Sequence, residues 1–147
     1  MADYLGLLIL LAGYVIGLGA VTVIDLHGFL GRHSHYWTEA TTRTHKVTKP
    51  LIWAGIALVI IGGAIFYRED YASVVPRVHA ALVTALILNG LFLSFRVSPF
   101  LLKRERAGKA GELLPDSWQR RIVVSFVVSI IGWWGSLALL TWYLLQR

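Results

Sequence analysis

The chain has 147 residues, 56% of them hydrophobic and 15% charged, with a formal net charge of +6 and no cysteine. Soluble domains carry about 25% charged residues. Here the charges gather in clusters and leave long windows empty, which argues against a water-soluble fold and for lipid as the solvent. The absence of thiols excludes disulfides, thiolate metal sites, iron–sulfur clusters and cysteine nucleophiles. The basic residues flank apolar segments, so they set topology and meet anionic headgroups, and no nucleic acid is expected as a partner.

Four windows lack Asp, Glu, Lys and Arg: Tyr4 to Ile24, Pro50 to Tyr67, Val78 to Phe95, and Ile122 to Gln146. Crossing about 30 Å of hydrocarbon takes about 20 helical residues, and each window fits. The start, Met1-Ala2-Asp3-Tyr4, is acidic, and the first apolar run ends in Asp25, His27 and Gly28 without a small-residue cleavage site. That segment reads as a retained span rather than a signal peptide. The expected fold is all-α: one integral membrane four-helix bundle over residues 1–147, with spans at about 4–26, 50–67, 77–99 and 121–146.

Local signals refine this frame. Pro50 and Pro76 are expected at helix starts, where the missing N–H costs nothing, with Thr48 as a cap. Pro99 is expected to kink the end of the third span. Tyr36, Ala40, Thr44 and Val47 repeat at helical spacing opposite Glu39, Arg43 and Lys46, which predicts a short interfacial helix before the second span. The stretch from Lys103 to Asp116 reads as a solvated, mobile hairpin. Lys and Arg divide eleven to three between the two sides, so both termini are expected outside and both long loops in the cytoplasm. Tyr4, Tyr67, Tyr71, Trp142 and Tyr143 suggest an outer aromatic belt and Trp37, Trp53 and Trp118 an inner one, while Trp133 and Trp134 fall near mid-span and read as packing or lipid contacts.

Small residues recur at helical spacing: Gly6, Gly13, Gly17 and Ala20 in the first span, Gly55, Gly62 and Gly63 in the second, and Ser125, Ser129, Gly132 and Ser136 in the fourth. In lipid, close approach through such residues draws helices together. Gly13, Gly17 and Gly132 are therefore assigned to packing, and Asn89 to an interhelical hydrogen bond. The partner helix belongs to this chain, to a second copy in a homo-oligomer, or to a larger membrane complex.

Histidines are the only candidates for a cofactor. His27 ends the first span and His45 precedes the second, a placement that would let the two ligate a haem iron axially. His33 and His35 are candidate ligands for a metal such as copper, and His79, expected on the opposite side of the membrane, is a separate candidate that cannot share their set. The alternative reading is histidines that face water or headgroups. Asp25 and Arg96 lie at similar depth just inside their spans and are expected to form an ion pair, because a charge in the bilayer needs a partner. The functional version of Asp25 is an ion or proton relay. No hydrolase, phosphate-loop or metalloprotease motif occurs, and no catalytic residue is assigned.

The runs G-L-G-A-V-T-V-I-D (Gly17 to Asp25), W-A-G-I-A-L-V-I-I-G-G (Trp53 to Gly63) and L-N-G (Leu88 to Gly90), with Pro99 beyond, resemble a group of small four-helix bacterial membrane proteins, itself distantly similar to the CopD-type copper-resistance membrane domain. The resemblance covers about Gly13 to Pro99. It implies a bacterial cytoplasmic membrane and, through the CopD likeness, copper handling. Three readings remain, in this order: an accessory or structural subunit of a larger membrane complex, a haem- or copper-binding membrane protein, and a small ion or solute transporter.

Overall fold

The computed structural model describes residues 1–31 and 37–146, and for 37–42 the backbone alone is considered. The chain runs α1 (Ala2–Gly31), α2 (Trp37–Phe66), α3 (Val74–Phe92), a π-helical turn (Leu93–Val97), α4 (Ser98–Arg106) and α5 (Asp116–Leu145). No strand occurs among the described residues. Four helical stretches are long and apolar enough to cross a membrane: Ala2–Leu30, Arg43–Phe66, Val74–Arg106 and Asp116–Leu145. Their outward faces stay apolar, with Leu8, Val15, Val23, Ile61, Leu88 and Ile131 all exposed.

The four stretches alternate in direction. Gly6 meets Phe66 and Gly13 meets Val59, so α1 and α2 are antiparallel. Leu86 meets Gly132, and Asn89 bonds Ser125, so α3 and α5 are antiparallel as well. One end of the bundle carries the start of α1, the α2–α3 connection and the end of α5, tied by an Asp3–Arg68 ion pair of 3.3 Å. The opposite end carries the end of α1, the start of α2 and the α4–α5 connection.

The glycine stripes are used within the chain. A Cβ on Gly13 would lie 2.7 Å from the Val59 nitrogen and 2.8 Å from the Gly55 carbonyl oxygen. A Cβ on Gly55 would strike the Gly17 backbone, and one on Gly62 the Leu10 backbone. Gly17 also seats the Trp133 indole, and Gly132 receives Leu86. Backbone-to-backbone approach of this kind gains dispersion contact where lipid offers no hydrophobic drive. Gly19 differs: it is exposed, and a Cβ added there would have nothing within 4 Å.

Several local expectations change. Pro50 lies inside α2 rather than at its start. The segment expected as a separate interfacial helix is continuous with α2 from Trp37 onward, and Tyr36 lies outside the described residues. Thr48 does not cap; its hydroxyl donates to the Thr44 carbonyl one turn back, at 3.0 Å, because the helix already extends past it. Pro76 is the third residue of α3, close to its expected place. Ahead of Pro99 the helix widens into the π turn, the kind of local adjustment that accommodates a residue with no N–H and a bulky ring. Tyr67 and Tyr143, assigned to a surface belt, are 5% and 8% exposed and belong to the core, as does Trp133 at 2%, whereas Trp134 is exposed.

The connection after α4 is hydrogen-bonded back to the helix it follows. Gly108, at φ +69°, takes the left-handed conformation that ends the helix. The Arg104 guanidinium donates to the carbonyls of Lys109, Glu112 and Leu113 at 3.3, 3.1 and 3.2 Å and faces the Glu112 carboxylate at 3.7 Å. Phe100 stacks on Trp118 at 3.9 Å, and Val97, Leu101 and Leu114 pack into a second small core beneath. Hydrogen bonds from a charged donor are worth about 1.5–3 kcal/mol, so Arg104→Ala is expected to raise proteolytic nicking within residues 107–114 by about tenfold or more while leaving the main thermal transition in place.

Candidate functional site: a tyrosine–histidine chain and an apolar cavity

His79 lies on α3 one turn beyond its start and is 3% exposed. An apolar helix places it there because the ring fills core volume, and two polar partners satisfy its nitrogens. Tyr14 of α1 has its hydroxyl 2.8 Å from Nε2, and Tyr67, just past the end of α2, has its hydroxyl 2.9 Å from Nδ1. A neutral imidazole has one N–H and one bare nitrogen. One tyrosine therefore donates to it and the other accepts from it. Ser136 of α5 is a near neighbour of the Tyr14 phenol. Ser136 is fully buried and donates in turn to the Trp133 carbonyl at 3.0 Å.

Around this chain the aromatic rings interlock. Tyr67 meets Tyr143 edge-on at 5.3 Å, and the Tyr143 hydroxyl donates to the Asp70 carboxylate at 2.8 Å. The Ser73 hydroxyl donates to the same carboxylate oxygen at 3.1 Å. On the other side Tyr14 meets Trp133 edge-on at 6.2 Å. Trp133 thus forms a floor between the polar chain and the half of the bundle nearer the opposite end.

Beyond that floor lies a cavity of about 110 Å³ lined by all four long stretches, with Val21, Asp25, Ile56, Leu86, Ser129 and Trp133 among its walls. Asn89 and Ser125 close one side. Asn89 Nδ2 donates to the Ser125 carbonyl at 3.1 Å, and the Ser125 hydroxyl donates back to Asn89 Oδ1 at 2.7 Å. A second cavity of about 100 Å³ shares Asp25, Ser129 and Trp133 with the first. A third, of about 220 Å³, adjoins His45 with Lys46, Lys49, Pro50 and Ser98. His45 lines both the first and the third, and its Nε2 is buried without a hydrogen-bond partner.

The expected Asp25–Arg96 ion pair is absent among the described residues. Asp25 instead shares the walls of two cavities with Ser129 of α5, and Arg96 sits exposed on the π turn. The physical reason is rotation: the widened turn shifts the register of the residues that follow it, and Arg96 ends on an outward face. His27 is exposed and is not among the residues lining the cavity that His45 borders. His33 and His35 lie outside the described residues. Among the described residues no three His, Asp or Glu side chains gather in a metal-holding group.

No protein-family model matches this chain, and neither a curated protein nor a solved structure does. The arrangement therefore stands on its own geometry. Sequence reasoning reaches His79 and Asp25 singly but misses Tyr14 and Tyr67. The available signal is position: Tyr14 stands in the middle of an apolar window instead of at its edge, and a tyrosine that deep needs a partner for its hydroxyl. The serine spacing in α5 reads from sequence as packing alone, although the Ser125 and Ser136 hydroxyls each donate to a polar partner.

Proposed function

We propose that the chain is a small multi-pass protein of a bacterial cytoplasmic membrane that moves an ion or small solute through its own bundle, with both termini outside. The orientation rests on the eleven-to-three division of Lys and Arg. The observation that carries transport is Asp25: a carboxyl within a membrane-length helix, unpaired with any basic side chain among the described residues, on the shared wall of two cavities. Ionisable groups at such depth are costly, and cavity-facing ones line ion and substrate paths. Three cavities lie in succession from Lys49 past His45 to Asp25, neighbours sharing wall residues, which suits a path from one end of the bundle. The accessory-subunit reading leans on small-residue stripes, and these are occupied largely by the chain's own helices. The haem reading needs His27 and His45 in one site, and only His45 lines the cavity.

The test is flux. Purified protein is reconstituted in liposomes, and gradients of protons, sodium, potassium and chloride are imposed one at a time. The wild type should dissipate at least one of them well above empty liposomes, and Asp25→Asn should slow that flux by about tenfold or more, the scale of losing about 1.4 kcal/mol of barrier lowering. Flux no different from empty liposomes for every ion, or an Asp25→Asn rate equal to wild type, would sink the assignment.

A further inference from the structure

We propose that the cleft between α1 and α5 beside Asp25 binds an organic ammonium, a single positively charged nitrogen on an apolar body, which arrives from the lipid face. The site goes beyond the transport reading, because it follows from the walls of the cleft whatever the bundle passes. The cleft is the cavity of about 100 Å³ that shares Asp25 with the inner one. Val21, Thr22, Asp25 and Leu26 of α1 form one wall, and α5 forms the other. Its rim faces the outside of the bundle: Leu26, Ile130 and Trp134 all line the cleft and all are exposed.

The walls select the chemistry of the ligand. Among the described residues that line the cleft, Asp25 is the one carboxyl, and no Lys, Arg or His stands there to neutralise it. His45 shares the inner cavity with Asp25, but no ion pair joins the two among the described residues. A carboxylate set against hydrocarbon needs a counter-charge, and a cationic ligand supplies it. The other walls are aliphatic and aromatic, with Phe126, Trp133 and Trp134 lining the same cleft as the carboxyl. Aromatic faces attract an ammonium whose charge is spread over apolar carbons. A metal ion fits this cleft less well. Only Thr22 and Ser129 add side-chain oxygens to those of Asp25 there, and hard cations take about six oxygen ligands.

The aromatic walls are fixed by their own packing. Trp133 is seated against Gly17 and meets Tyr14 edge-on at 6.2 Å, and Phe126 stacks on Phe29 at 5.0 Å. Trp134 is the exposed member and stands on the rim. An engineered apolar cavity of about 150 Å³ holds a benzene ring. The smaller cleft therefore suits the ammonium head alone, with the apolar body lying over the rim among lipid chains.

The test is equilibrium dialysis of radiolabelled benzyltrimethylammonium against the full chain in a nonionic maltoside, with the uptake of protein-free micelles subtracted. Binding should be saturable and stoichiometric with the chain. Asp25→Asn keeps the shape and removes the charge, and should weaken binding by about tenfold or more. Trp134→Leu, on the exposed rim, should weaken it by about threefold or more. Each variant is scored only if its elution and thermal transition match wild type, and the rim variant keeps the test decisive if Asp25→Asn misfolds. A parallel titration in phosphatidylglycerol vesicles, with and without phosphatidylethanolamine, separates two sources of the ammonium. Competition by the ethanolamine lipid names a headgroup as the ligand, and no competition names a free amine. Absence of saturable binding to wild type, or binding that every folded variant retains, overturns the site. Ion flux in liposomes that depends on Asp25, without ammonium binding, overturns the site and leaves the transport reading standing.

Discussion

Gly62→Leu should prise α1 from α2 and leave a protein that fails to give a cooperative thermal transition in detergent. A Cβ there would fall on the Leu10 backbone, with the Gly6 carbonyl oxygen 2.8 Å away. Overpacking a well-filled site costs about 1–3 kcal/mol when side chains can shift. Here the obstacle is backbone, so relief requires moving a whole helix, and the cost is expected above about 3 kcal/mol. The interface it disrupts is the most extensive in the fold. Gly19→Leu is the matched control: a Cβ at that position has nothing within 4 Å, and a better helix former there should leave the transition unchanged or raise it by the equivalent of about 0.5–1 kcal/mol. Thermal melts of both variants, measured by tryptophan fluorescence, decide the matter. Equal melts for the two would show that the close α1–α2 approach is not needed for the fold.

His79→Leu has the second large effect, and its origin is polar. Leucine is similar in volume but offers nothing to the hydroxyls of Tyr14 and Tyr67, which meet the ring nitrogens at 2.8 and 2.9 Å. Each stranded hydroxyl costs about 1–3 kcal/mol, so the variant is expected to lose about 2–6 kcal/mol, with the lower half applying if either tyrosine finds another acceptor. Adding Tyr14→Phe to His79→Leu should restore part of the loss, since it removes one of the stranded groups. The measurement is a double-mutant cycle on thermal or denaturant stability. Additive losses, with no recovery in the double variant, would mean that the tyrosine–histidine contact contributes nothing to stability.

The histidine and the glycines differ in how legible they are. Gly13, Gly17 and Gly62 stand at helical spacing in apolar windows, and helical spacing is local, so a packing role can be read without knowing the partner. His79 gives no such signal. It follows Val78 and precedes Ala80, and its partners lie 65 and 12 residues away in sequence. The placing of Asp25 beside Ser129 rather than Arg96 is a further case. Depth along a helix follows from residue count, which correctly puts Asp25 and Arg96 inside membrane-length stretches, but facing depends on rotation about the axis, and one π turn is enough to redirect it. Pro50 and Thr48 mislead for a related reason: both are signals for a helix start, yet the polar segment from Trp37 to Lys49 is itself helical, and continuation of an existing helix outweighs the local preference to begin one.

Counting apolar and charged residues along one chain, against a fixed length requirement, is enough to establish the all-helical class, the four stretches of membrane length and the uneven distribution of basic residues. No such count reveals that the glycine stripes close on one another within the chain, that Tyr67 and Tyr143 turn inward, that Arg104 ties the α4–α5 connection, or that Tyr14, Tyr67 and His79 meet. Those are relations between segments brought together by folding, set by which faces meet and at what rotation. Hydrogen bonds act over about 3 Å, so a shift of one residue in helix register, about 1.5 Å along and about 100° around the axis, makes or breaks every one of them.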